Sequence, residues 1–143
     1  MRLLVDAAPL VAQAENDHPW RVPSAQILAS DRLLPLLSEC TATEVDYFLQ
    51  KKWGPQGNRQ FIEDLAAGRF EVPTLDSSDF ATIATLNRRY RDLSPGLADL
   101  SLVVLAARYR TTRLLTFDQR HFRLIRPLQG GVFTLLPFDE DIP

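Results

Sequence analysis

Two kinds of apolar pattern alternate along the chain. Short, nearly continuous apolar runs at residues 3–5, 33–37, 70–75, 113–116 and 132–136 predict buried β-strands. Pro35 lacks an N–H to donate, which places the second of these at an edge of the sheet. Between them lie stretches with helical spacing. Residues 7–14 are rich in Ala, Leu and Val, and Ser24 can cap a helix reaching residue 31. Val45, Phe48, Leu49 and Lys52 share one face of a helix over 41–53 that Gly54-Pro55 ends. Phe61, Ile62 and Leu65 repeat the spacing over 56–67 up to Gly68. Asp76-Ser77-Ser78-Asp79 opens a long helix with Phe80, Ile83, Leu86 and Tyr90 on one side, ending near Leu93. Residues 97–109 are apolar on every side and predict a buried helix, whereas 118–122 reads as a turn or a short helix.

Strands alternating with helices specify an α/β domain. The expected architecture is a three-layer α/β/α arrangement with a mostly parallel central sheet flanked by helices. With 143 residues, one domain spanning 1–143 is expected. Apolar residues at 45% and charged residues at 24% exclude a disordered chain. The single cysteine, Cys40, precludes an internal disulfide and suits a reducing cytosol. No stretch approaches the roughly 20 apolar residues that span a bilayer, and Asp6 breaks the apolar start too early for a signal peptide. A cytoplasmic protein without membrane contact is therefore expected.

The net charge of −2 conceals an asymmetry. Residues 87–126 hold nine arginines against three acids, a local +6 that leaves −8 for the remainder. Such a distribution allows a basic surface beside an acidic one. Four carboxylates stand at informative positions within it. Asp6 follows the first strand, Asp118 follows the strand at 113–116, Glu44 lies in the first turns of the clearest helix, and Asp99 heads the apolar one. In a parallel sheet, strand ends and helix starts share an edge, where active sites of such folds lie. Carboxylates gathered there repel one another unless a cation intervenes. Hard divalent ions such as Mg2+ or Mn2+ answer that need and can activate water against a phosphate.

Each acid also has a plainer reading. Asp6 and Asp118 can cap the helices that follow them, and Glu44 can complement a helix dipole. Asp99 is harder to explain away, because a carboxylate among Leu, Val and Ala is costly unless paired or metal-bound. No protein nucleophile competes: Cys40 has no evident base and no Gly-x-Ser-x-Gly occurs.

These residues carry a resemblance to the PIN domain over essentially the whole chain. It comprises Val5-Asp6, Thr43-Glu44-Val45-Asp46-Tyr47, Ala98-Asp99, and Leu114-Leu115-Thr116-Phe117-Asp118 with Phe122. The closing Arg126-Pro127, Gly130-Gly131-Val132-Phe133-Thr134 and Pro137 are particularly similar to actinobacterial VapC toxins. The resemblance implies a PIN-like α/β/α fold and an Mg2+- or Mn2+-dependent endoribonuclease acting on structured RNA, a tRNA or a ribosomal RNA loop. It implies a homodimer and a VapB-type antitoxin as partner. Asp6, Glu44, Asp99 and Asp118 are then the metal-binding acids, with Asp118 completing the pocket or acting through water. The chain departs from the pattern at Ala7-Ala8, where a hydroxyl or amide residue usually follows the first Asp. Thr116 remains as a hydroxyl near the site.

For RNA, Arg113, Arg120, Arg123 and His121 are candidate phosphate contacts, although an exposed turn position accounts for His121 as well. Trp20 and Trp53 can stack on bases or serve packing and partner contacts. A phosphatase of the haloacid dehalogenase class would want an Asp at position 8, where Ala8 stands. A phosphoacceptor receiver domain would need an acidic pair before Asp6 and a late lysine. The non-enzymatic alternative is a PIN-like binding module.

Overall fold

In the computed structural model, which describes residues 1–140, four parallel strands form one sheet in the order β2-β1-β3-β4. The strands are β1 (Arg2–Val5), β2 (Leu34–Leu36), β3 (Arg113–Leu115) and β4 (Thr134–Leu136). Their short apolar runs suit a sheet covered on both faces. Register and pleat then sort the leucines. Leu4 pairs with Leu114, which pairs with Leu135, and these side chains enter one core with Ile83, Leu86, Leu100 and Phe122. Val5, Leu115 and Leu136 point the opposite way, into a second core with Leu10, Ile27, Val45 and Phe61.

Helices α1 (Ala7–Ala12), α2 (Arg21–Leu28), α3 (Glu39–Trp53) and α4 (Arg59–Ala66) supply the second core. The first receives α5 (Ser77–Arg89), α6 (Leu97–Tyr109) and α7 (Gln119–Leu124). The three-layer α/β/α expectation holds, with every strand pair parallel. Among the described residues no helix is long and apolar enough to cross a membrane.

Several local expectations need correction. The run at 70–75 is no strand: it makes one bridge, Glu71 to Leu36, on the outer side of β2. Glu71 donates to Pro35 O and accepts from Leu37 N, and Pro73 has no N–H with which to extend the ladder. Ser24 does not cap α2, which starts at Arg21 and tolerates Pro23 in its first turn, where N–H groups have no helical partner. Ser24 is buried inside that helix, and its hydroxyl has no hydrogen-bond partner. Helix α3 begins earlier than expected, at Glu39, because Ser38 Oγ accepts from Cys40 N at 3.1 Å. Glu44 thus lies in its second turn. Helix α4 begins only at Arg59, since the chain turns tightly at Gly57, where a Cβ would come within 2.3 Å of Leu49 O.

Candidate active site

The strands end on the same side, and the two central ones lead to aspartates: Asp6 directly after β1, and Asp118 three residues past the end of β3. Asp6 caps α1, its Oδ1 accepting from Ala7 N at 2.8 Å. Asp118 caps α7, its Oδ1 accepting from His121 N at 2.9 Å. The capping role is real for both, and it leaves one carboxylate oxygen of each for other work. Thr116, between the two strand ends, is fully buried. Its hydroxyl donates to Asp6 Oδ2 at 2.7 Å and accepts from Asp118 N at 3.0 Å, locking the aspartates to a common reference.

Two helices bring the other acids. Asp99 lies in the first turn of α6 and Glu44 on the exposed side of α3. A buried hydroxyl relay joins these helices. Ser101 Oγ donates to Ala98 O at 2.6 Å, so the Ser38 hydroxyl donates to Ser101 Oγ, also at 2.6 Å. It satisfies polar groups that would otherwise be costly in the core and sets α3 against α6.

All four predicted acids line one cavity of about 400 Å³, together with Ala7, Ala8, Val11, Ala12, Glu15, His18, Phe48 and Lys52. Their electrostatics show the strain of crowding. Burial is the main cause that pushes Asp6 up to about 6, with Asp99 and Glu44 adding to the rise and the Thr116 hydroxyl opposing it. Glu44 is raised by burial and by Asp99. Asp99 is raised by burial and by Asp118, against the pull of His121. Among the described residues no lysine or arginine forms an ion pair with any of the four, and Lys52 pairs with Glu15 instead.

The donor set fits a hard divalent cation. Asp99, Asp118 and His121 each offer an atom within 4.8 Å of the others, an arrangement able to hold a metal ion. Asp6 and Glu44 face the same cavity with oxygen donors of the kind Mg2+ and Mn2+ prefer.

No family model matches the chain. Ribonuclease VapC26 of Mycobacterium tuberculosis is 30% identical over 135 residues, which cover 94% of this chain and 100% of that protein. The chain belongs to the VapC family. The fold of this VapC protein is shared with two solved structures. One is M. tuberculosis VapC20, a sarcin-ricin loop cleaving toxin, at TM-score 0.74 and 12% identity over 82% of this chain and 91% of that one. The other is VapBC2 of Rickettsia felis bound to a DNA fragment from its promoter, at TM-score 0.62 and 17% identity over 86% and 92%.

Other site expectations for this VapC chain fare unevenly. His121 is no exposed turn residue: it lies on α7 with Nδ1 3.1 Å from Asp99 Oδ2 and 3.0 Å from Asp118 Oδ2. Asp118 and His121 are three apart, the spacing that returns a helical side chain over its own cap, so that signal was present in the sequence. Arg113 and Arg123 are engaged with Glu140 and Asp139. Arg120 is exposed and has no ion pair among the described residues. Trp20 packs edge-on against Phe138, and Lys52 lies over the half-exposed Trp53. The Ser38–Ser101 relay went unpredicted; a lone serine inside the apolar run of α6 was its only trace.

Proposed function

We propose that this VapC-family protein is a metal-dependent endoribonuclease toxin that cleaves structured RNA, a tRNA or a ribosomal RNA loop. The observation that carries the reading is the convergence of Asp6, Glu44, Asp99 and Asp118 on one cavity, with no lysine or arginine partner among the described residues. These four would hold Mg2+ or Mn2+, which when bound lowers the pKa of water and neutralises charge on the phosphate under attack. The remaining work falls to the chain itself. Thr116, just past the end of β3, keeps the Asp6 carboxylate oriented, taking the part that Ala7-Ala8 cannot. The Ser38–Ser101 relay holds Glu44 and Asp99 in register. Arg120, exposed on α7 beside Asp118, is a phosphate contact.

Membership of a toxin family supports a VapB-type antitoxin as the partner that silences the site, with a homodimer as the assembled form. One feature favours the reading as a binding module: Ala7 and Ala8 put no polar side-chain atom on the cavity wall.

Cleavage of total bacterial RNA by antitoxin-free protein separates the readings. In Mg2+ or Mn2+ we expect discrete fragments that EDTA abolishes and that Asp99→Asn slows by about 100-fold or more, as loss of a metal-site group should. Folded protein that cleaves nothing in either metal establishes the binding module instead.

A further inference from the structure

His121 has a position that neither capping nor RNA contact explains. Its backbone N–H is tied to Asp118 Oδ1 at 2.9 Å, which fixes where the residue sits. Its side chain, only 19% exposed, turns inward. There Nδ1 meets two carboxylate oxygens from different elements, Asp99 Oδ2 at 3.1 Å and Asp118 Oδ2 at 3.0 Å. A single nitrogen carries at most one proton there, so it cannot give both oxygens a full hydrogen bond. A cation touching all three atoms satisfies all three.

The spacing suits that role. In an octahedral site with bonds of about 2.1 Å, neighbouring donors lie about 3.0 Å apart, close to the two nitrogen–oxygen separations observed. Two of the three, Asp99 and Asp118, line the cavity with Asp6 and Glu44, and His121 stands behind them, within 4.8 Å of both. We propose that His121 is a nitrogen ligand of the metal site, through Nδ1, and that it biases the site toward Mn2+ over Mg2+. Imidazole is a borderline donor that suits transition metals, whereas Mg2+ holds to oxygen and to its waters. An all-carboxylate site would discriminate less. The inference rests on the metal-dependent reading above and specifies its ligand set.

The test uses Mn2+ alone as probe on the metal-stripped full chain. Electron spin-echo envelope modulation reports nitrogen bound to Mn2+ directly, without any turnover. We expect imidazole nitrogen modulation in the native protein and in His18→Ala, which removes the chain's other histidine, on the cavity wall, and none in His121→Ala. Calorimetric titration should show Mn2+ affinity falling about tenfold or more in His121→Ala, with a smaller loss for Mg2+. Circular dichroism checks that the variant folds, and the native spectrum stands even if it does not. Bound Mn2+ without nitrogen modulation, or modulation that survives in His121→Ala, would overturn the ligand assignment while leaving a carboxylate metal site intact, and equal losses for both metals would overturn the bias toward Mn2+. Native protein that binds no Mn2+ overturns both the assignment and the metal-dependent reading.

Discussion

Asp139 and Asp99 both lie against α7, and the fold treats them in opposite ways. Asp139 receives two N–H bonds from Arg123, at 2.7 and 2.6 Å, and a third from Leu135 N at 2.7 Å. The Arg123 guanidinium chiefly, with the Leu135 amide, holds its carboxyl below the usual range. Asp99 is more buried, shares His121, its only ion-pairing partner among the described residues, with Asp118, and is pushed upward. A carboxylate matched to a guanidinium fork has its charge answered inside the protein. Carboxylates that share one imidazole remain short of positive charge, which is the condition that favours a cation from solution. The same contrast separates the ion pairs Arg108–Asp79 and Arg113–Glu140 from the acids of the cavity.

Three substitutions probe this contrast. The largest effect is expected from Asp6→Asn in the metal-free protein. Folded Asp6 keeps its proton up to about pH 6, whereas the unfolded chain releases it near 3.8. Between those values the folded state binds more protons, so stability falls as pH rises through the window and stays reduced above it. Asp6→Asn should raise stability at pH 7 by about 1–3 kcal/mol in EDTA and flatten the fall between pH 4 and 6. Urea denaturation at several pH values measures this. A variant less stable than the parent at pH 7 would mean that the carboxylate is not under electrostatic strain.

Thr116→Val should act in the opposite direction. It removes the donor to Asp6 Oδ2 and the acceptor for Asp118 N, both at buried or half-buried positions. A loss of about 1–2 kcal/mol is expected at neutral pH, with Asp6 titrating higher still by NMR. An unchanged Asp6 titration would show that the hydroxyl does not hold that carboxylate. The smallest effect belongs to Arg123→Ala. Its pair with Asp139 is partly exposed, so about 0.2–1 kcal/mol should be lost, metal-free and metal-bound alike. A larger loss under metal alone would tie this pair to the cavity, contrary to the contrast drawn above.

Much of this was legible in the order of residues. Strands and helices announced themselves because their apolar periods differ, and the alternation of the two implied a parallel sheet. Asp6, Glu44, Asp99 and Asp118 could be nominated because strand ends and helix starts share an edge in that topology. Boundaries were less legible where one hydrogen bond decides them, as Ser38 does for α3 and Pro35 with Glu71 does for the segment after α4. Tertiary structure alone decided the fates of the polar groups. Arg113 and Arg123 read as candidate phosphate contacts until Glu140 and Asp139 were brought beside them. Thr116 could be read as a strand residue or as a hydroxyl near the site until the β1–β3 register set it against Asp6. His121 read as a phosphate contact or an exposed turn residue until α6 carried Asp99 across to it. The physical reason is common to all three. Apolar burial is collective and leaves a periodic trace along the chain, whereas a hydrogen bond or ion pair depends on one partner whose distance in sequence follows no period.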